Sequence, residues 1–196
     1  MNHAFQNTKK VFALLMAVLL LSLSFTACTS KKTEEPSTPT KGQSAGTFSM
    51  QGLHGETVTE AIFKESKLTL VNVMATWCGP CVHELPELQK LYQTYQDKGL
   101  SVLVIVVDTI NNKGLKDEKA VGTAQQLAAV SGATFPMVMP QNGALAGQVD
   151  AVTSLPTTFF VDSEGNFVGK PYVGGKDLAG WSQVVEKLLP KDEASA

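Results

Sequence analysis

Residues 75–81 read Ala-Thr-Trp-Cys-Gly-Pro-Cys and stand where an apolar run, residues 68–75, gives way to a helical pattern. A cysteine at the start of a helix faces unpaired backbone N–H groups and the positive end of the helix dipole, which favour its thiolate. Cys81 lies within one turn of Cys78, and Pro80 suits a first turn, where its missing N–H costs nothing. The motif therefore predicts a redox-active disulfide in which Cys78 attacks and Cys81 resolves the mixed disulfide.

The segments around this motif alternate between strand and helix patterns. Residues 68–75 and 100–107 are almost continuously apolar, which is typical of strands covered on both faces of a partly parallel sheet. Between them, residues 80–97 carry apolar side chains at three- and four-residue spacing, as on one face of a helix. Further predicted elements are an N-terminal hairpin over 47–59, a helix over 118–130, a strand near 135–139, a hairpin over 157–172 and a helix over 177–189. This order indicates an α/β domain.

Two other uses of a Cys-x-x-Cys pair fit the sequence less well. A tetrahedral zinc site needs four ligands, and within the domain only His54 and His83 could add imidazoles. A purely structural disulfide between Cys78 and Cys81 would close a very short loop and restrict the unfolded chain little. We therefore expect a redox pair that works without a bound metal or cofactor.

The N-terminal residues have the pattern of an export signal. Two lysines precede an unbroken apolar run over residues 11–21, which is shorter than the roughly 20 residues that a membrane-spanning helix needs. Thr26-Ala27-Cys28 then resembles the lipobox of bacterial lipoproteins, although Phe25 stands where that motif prefers leucine. We expect a signal peptide over residues 1–27 and a lipid on Cys28. Ordinary cleavage that leaves an unpaired thiol is the alternative.

The composition divides the rest of the chain. Residues 29–46 contain no large apolar side chain and cannot bury enough surface to offset the entropy of ordering. We expect a lipidated flexible tether over 28–46, a folded domain over 47–190 and a polar tail over 191–196.

All sixteen basic residues are lysines. Because arginine supplies the bidentate contacts that nucleic-acid recognition favours, we expect no nucleic-acid partner.

A second motif, Ser154-Leu155-Pro156-Thr157-Thr158, lies about 75 residues after the cysteine pair. With residues 75–81, it makes residues 47–189 resemble the TlpA/ResA branch of the thioredoxin superfamily, a group of membrane-tethered bacterial reductases that face outward. The resemblance implies a thioredoxin-like fold: a central mixed sheet flanked by helices, with an N-terminal β-hairpin and a central insertion over about residues 115–140. It also implies a cis Pro156 that faces the redox pair.

The resemblance further implies where substrate binds. In this branch the backbone beside the cis proline docks the substrate chain. We therefore expect substrate contacts around the pair, at Trp77, Gly79, Pro80, Leu155 and Pro156. Ordinary core packing is the alternative for Trp77.

Two acids and a histidine near the pair are further candidates. Glu84 matches an acidic residue of the branch, and three residues along a helix it shares a face with Cys81. We expect it to accept the proton that Cys81 must lose; a solvated first-turn acid is the alternative. His83 should face away from the pair. Asp108 follows a predicted strand, at the edge where α/β sites gather.

The sequence favours a reductase of exposed protein disulfides, because Gly-Pro also separates the cysteines of reducing thioredoxins. The resemblance implies a substrate such as apocytochrome c, as in cytochrome c maturation, or a methionine sulfoxide reductase. It also implies a membrane electron donor of the CcdA/DsbD type and a lipid-anchored place at the extracytoplasmic face of the bacterial cell membrane.

Three other functions remain open. A disulfide-forming oxidant is the first alternative. A thiol peroxidase is suggested by Thr76 shortly before Cys78, but such sites use an arginine, which the chain lacks. A Cu(I) chaperone would use the two thiolates as soft ligands.

Overall fold

The computed structural model describes residues 38–191. The predicted signal peptide, the first ten residues of the predicted tether, which include Cys28, and residues 192–196 of the predicted polar tail lie outside the described residues. No helix within 38–191 is long and apolar enough to cross a membrane. The elements are β1 (Ser49–Gln51), β2 (Thr57–Thr59), β3 (Leu68–Met74), α1 (Gly79–Tyr95), β4 (Leu100–Val106), α2 (Glu118–Ser131), β5 (Met137–Val138), β6 (Thr157–Asp162), β7 (Tyr172–Val173) and α3 (Leu178–Leu188).

The centre of the domain is a five-stranded mixed sheet in the order β5-β4-β3-β6-β7. β3 pairs in parallel with β4, and β4 pairs in parallel with β5. β6 and β7 run antiparallel to their neighbours. β1 and β2 form a separate two-stranded antiparallel sheet, which is the predicted N-terminal hairpin. The predicted thioredoxin-like α/β fold is confirmed.

Every residue of β3 is buried, because both faces of the sheet are covered. Leu70 belongs to a core cluster that includes Leu85 of α1 and Trp181 of α3. Its neighbour Val71 belongs to a second cluster on the other face, together with Phe63. Because successive side chains of a strand point to opposite faces, a strand with two packed faces has no polar side. The continuous apolar run therefore predicted the position of this strand correctly.

Local capping sets where the helices begin and end. α1 begins after Cys78, has Pro80 in its first turn and continues through Pro86. α2 begins after Asp117, whose carboxylate accepts from two backbone N–H groups, and ends at Gly132 with a φ of 71°. Such a left-handed residue is the common helix stop, and glycine adopts it without a steric penalty. These helices agree closely with the predicted ones.

The last part of the predicted tether is ordered, which corrects the prediction of a flexible segment. The backbone N–H of Gly42 donates to the carbonyl of Phe167, and that of Ala45 donates to Gly165, at 2.9 and 2.8 Å. Phe167 in turn donates to Gln43, and the side chain of Ala45 is fully buried. We call residues 42–45 the strap. Backbone hydrogen bonds hold it, so its order does not depend on large apolar side chains.

The second predicted hairpin is shorter than expected. Its turn follows β6 as predicted, with the Gly165 N–H donating to the Asp162 carbonyl. After the turn, Phe167 forms an isolated bridge to β6, and regular pairing resumes only at Tyr172–Val173. The register changes across the interruption, because Phe167 lies opposite Val161 whereas Val173 lies opposite Thr157. On its other edge, Phe167 bonds to the strap, and Pro171, within the interrupted stretch, has no N–H to donate.

Candidate active site

The two cysteines lie where β3 passes into α1. They form a disulfide, with their Cα atoms 5.3 Å apart. Cys78 is the residue before the helix, and its sulfur accepts from the Cys81 backbone N–H at 3.4 Å. The helix N-terminus is therefore directed at the sulfur of Cys78, as the motif predicts. Cys78 is 6% exposed and Cys81 is 1% exposed, so Cys78 is the sulfur that a substrate reaches first.

Glu84 lies one helical turn after Cys81 and is buried, with 3% of its surface exposed. One carboxylate oxygen accepts from the Asn72 amide at 3.0 Å. The other accepts from the Trp181 indole N–H at 2.8 Å and the Lys176 backbone N–H at 2.9 Å. Burial raises the pKa of Glu84, and these hydrogen bonds oppose that rise in part. The alternative of a solvated first-turn acid is wrong.

An open groove of about 560 Å³ borders the disulfide. Its lining side chains carry no charge and come from three segments: Trp77, Cys78, Gly79, Pro80, Val107, Val149, Val152, Thr153 and Leu155. Trp77 is 74% exposed, so its alternative, core packing, is wrong. The groove thus brings together four of the five residues expected to contact substrate. The fifth, Pro156, is buried beside it, and the Leu155–Pro156 peptide bond is cis, as the resemblance implies.

One wall of the groove was not predicted. Val149, Val152 and Thr153 come from the long loop between β5 and β6. In this loop, Leu145 and Ala146 have φ values of 51° and 53°, in the left-handed region that non-glycine residues seldom adopt. Leu145 is fully buried. The burial of its side chain holds the backbone in this conformation, but no local sequence pattern signals it.

Asp108 binds the loop that carries the attacking cysteine. Its carboxylate accepts from the Thr76 backbone N–H, at 3.0 and 3.1 Å to its two oxygens, and from the Thr76 hydroxyl.

His83, by contrast, is exposed on α1, away from the buried face that carries Glu84. Across residues 38–191, no cluster of three or more His, Cys, Asp or Glu side chains could hold a metal ion.

This geometry defines a class of protein. A disulfide at a helix N-terminus, with one accessible and one buried sulfur on a thioredoxin-like fold, is the arrangement for thiol–disulfide exchange. The protein is a thiol–disulfide oxidoreductase, and its relatives agree. It is 28% identical over 177 residues to thiol-disulfide oxidoreductase ResA of Halalkalibacterium halodurans, covering 89% of each chain.

The family follows from the same comparisons. The model of the AhpC/TSA family matches residues 41–169, and the chain belongs to this family. It is 35% identical over 125 residues to the thioredoxin-like protein YneN of Bacillus subtilis, covering 64% of this chain and 67% of that one. A thiol:disulfide interchange protein from Chlorobium tepidum has a similar fold, with a TM-score of 0.62, 24% identity and coverage of 77% and 99%. The resemblance to the TlpA/ResA branch is confirmed.

The raised pKa of Glu84 predicts how stability depends on pH. Because the folded protein holds this proton more tightly than the unfolded chain, the stabilisation is complete below the ordinary value of 4.5 and is lost as the pH rises through the folded pKa. The oxidised protein should therefore become less stable over this window. Glu84→Gln cannot ionise and should flatten that loss, as measured by urea unfolding between about pH 4 and about pH 8.

The slope with pH is the readout, because glutamine also presents an NH₂ group to surrounding donors and should lower stability at every pH. Glu164→Gln, in the exposed turn after β6, is the matched control and should keep the wild-type slope. A Glu84→Gln profile parallel to the wild-type profile would contradict the prediction.

Proposed function

We propose that this oxidoreductase is a reductase of exposed protein disulfides at the extracytoplasmic face of a bacterial membrane. The observation that carries the proposal is the asymmetry of the pair: Cys78 borders an open, uncharged groove, whereas Cys81 is buried one helical turn before Glu84. Such a groove can bind a substrate polypeptide that contains a disulfide bond. The Gly-Pro spacer of reducing thioredoxins supports the direction.

The reaction has two exchange steps. The Cys78 thiolate attacks one sulfur of the substrate disulfide, so that a mixed disulfide forms and one substrate thiolate leaves and takes up a proton. Cys81 then loses its proton and attacks the Cys78 sulfur, which releases the second substrate thiolate. The substrate gains two electrons and two protons, and the enzyme is left with the Cys78–Cys81 disulfide.

Glu84 is proposed to accept the proton of Cys81 in the second step. It lies one turn along α1, and its pKa is raised because it is buried. A carboxyl group with a raised pKa is closer to the range that suits a general base at neutral pH. Its hydrogen bonds to Asn72, Lys176 and Trp181 fix the position of the carboxylate. The first step should not need Glu84, because the helix N-terminus stabilises the Cys78 thiolate.

The anchor and the partners belong to the same proposal. Cys28 is proposed to carry a lipid, with residues 1–27 removed as a signal peptide. Apocytochrome c or a methionine sulfoxide reductase is the proposed substrate, and a membrane protein of the CcdA/DsbD type the proposed electron donor. The resemblance to the TlpA/ResA branch supports these assignments.

Two of the alternatives are less compatible with the site. A thiol peroxidase needs a donor beside the attacking thiolate, but the Thr76 hydroxyl is bound to Asp108. A Cu(I) chaperone of this kind would add a histidine to the two thiolates, but His83, two residues after Cys81, is exposed on the helix. A disulfide-forming oxidant would differ from a reductase only in redox potential, so measuring that potential distinguishes the two functions.

The redox potential tests the direction of electron flow. Equilibration with glutathione buffers should give a value well below about −200 mV for the Cys78–Cys81 couple, and the reduced protein should reduce insulin disulfides. Cys81→Ser is the control, since it should form mixed disulfides but not turn over. A potential near about −120 mV, as in the strong oxidant DsbA, would assign the protein to disulfide formation.

Glu84→Gln tests the proton acceptor. Attack by Cys78 should change little, whereas resolution by Cys81 should slow by about 10²- to 10⁴-fold if the general-base contribution is lost in full. Mixed disulfides should then accumulate in quenched-flow samples. Glu87→Gln is the matched control, because Glu87 also joins α1 to α3 through the Leu178 N–H but lies a further turn from the pair. Equal rates of resolution in the wild type and Glu84→Gln would remove Glu84 from the mechanism.

Cys28→Ala tests the anchor. The variant should leave the membrane fraction and should take up no label from an alkyne-tagged fatty acid, while the purified domain keeps its insulin reductase activity. Thr29→Ala is the neighbouring control and should stay lipidated. Fatty-acid labelling that survives Cys28→Ala, or a wild-type protein without label, would refute lipidation at this residue.

A further inference from the structure

Asp108 joins the loop of the attacking cysteine to the neighbouring strand. It lies in a one-turn 3-10 helix, Val107–Thr109, directly after β4. Its carboxylate accepts both the backbone N–H and the hydroxyl of Thr76. Thr76 precedes the exposed Trp77 and the attacking Cys78. The link therefore connects to the loop at its midpoint, between the end of β3 and the start of α1.

The turn that carries Asp108 is itself held firmly. The Thr109 hydroxyl donates to the Val106 carbonyl at 2.6 Å, and Thr109 is fully buried. The carbonyl of Thr109 accepts from the Asp117 N–H at 2.8 Å, at the start of α2. Asp108 thus presents its carboxylate from a fixed base, and the bound loop is fixed with it.

The same carboxylate brings a negative charge close to the attacking sulfur. Two residues of chain span at most about 7 Å, so a carboxylate bonded to Thr76 lies within about 10 Å of the Cys78 backbone, and the turn closed by the Cys78 N–H and the Ala75 carbonyl at 3.1 Å shortens that span. At that distance, a carboxylate disfavours a thiolate by about twofold to tenfold for effective dielectric constants between about 80 and about 25. The side chains that line the groove carry no charge to offset it.

We propose that Asp108 is a positioning residue with two effects: it holds the Thr76–Cys78 loop in place for attack, and its charge disfavours the Cys78 thiolate. A couple is a strong oxidant when its reduced form is stabilised. A charge that destabilises the thiolate therefore makes the couple more reducing. The positioning of the loop follows from thiol–disulfide exchange, whichever way the electrons flow. The charge effect rests on the proposed function, because it explains why the couple would be reducing.

Other ionisable groups around the pair stay constant in the test. Glu84 lies one helical turn after Cys81 and accepts from the Lys176 backbone, and His83 is exposed on α1. None of them is hydrogen-bonded to Asp108, whose partner is Thr76. A difference between Asp108 variants therefore reports the charge or the link, and not these neighbours.

Two substitutions separate the effects. Asp108→Asn keeps an oxygen that accepts from Thr76 but removes the charge. The pH midpoint for alkylation of Cys78 by iodoacetamide should fall. Above the wild-type midpoint, where reduced Cys78 is a thiolate, the equilibrium with glutathione should shift by about twofold to tenfold toward the dithiol, where tenfold equals 29.6 mV. Attack on insulin should stay within about threefold of the wild type. Asp108→Ala also loses the link, and its attack should slow by about 10- to 100-fold.

Asp162→Asn is the matched control. Its carboxylate also accepts two backbone N–H groups, from Glu164 and Asn166, but at the opposite end of the sheet. It should change neither the alkylation midpoint nor the equilibrium. Circular dichroism is the check that each variant is folded.

These measurements test the charge effect and the positioning effect separately, and neither test depends on whether the protein is a reductase. An unchanged midpoint and equilibrium in Asp108→Asn would overturn the charge effect. Wild-type attack by Asp108→Ala, or equal loss in the Asn and Ala variants, would overturn the positioning effect. A wild-type potential in the oxidant range would refute the reductase, yet the differences between variants would still measure what Asp108 does.

Discussion

The carboxyl group of Glu84, on α1, is hydrogen-bonded to β3 and α3 directly and is linked to β6 through Asn72. Asn72 of β3 donates to it, and the same amide donates to Thr158 of β6. Trp181 of α3 and the backbone before that helix supply the remaining donors. A buried carboxyl group is costly unless it is fully hydrogen-bonded, so these donors and this acid require one another. The docking of α1 and α3 on the sheet, and with it the position of the cysteine pair, depends on this network.

The parts of the fold that could be predicted are those with local causes. β3 and β4 are mostly apolar because both of their faces are packed, and that pattern is visible in the sequence. The helix starts at Cys78, Asp117 and Asp177 are likewise visible, since a capping side chain acts on N–H groups two or three residues away. The strap could not be predicted in this way. Its hydrogen bonds to the later chain reach residues at least 120 positions away, and its one buried side chain is a methyl group.

The same distinction between local and long-range causes applies to the site. Cys78, Cys81 and the position of Glu84 follow from the spacing on one helix. The partners of Glu84 do not, because Lys176 and Trp181 lie more than 90 residues further along the chain. The groove wall of Val149 and Val152 depends on a long loop whose backbone is held by tertiary packing. Sequence reasoning therefore found the reacting groups and missed most of what positions them.

The two acids near the pair differ in environment, and this difference assigns them to different steps. Glu84 is buried, and its raised pKa suits a group that gains and loses a proton beneath Cys81. Asp108 is half-buried beside the accessible loop, where its charge opposes the stabilisation that the helix N-terminus gives the Cys78 thiolate. They share no hydrogen-bond partner among the described residues. A substitution at one acid therefore leaves the hydrogen bonds of the other intact, so attack and resolution can be altered by separate substitutions.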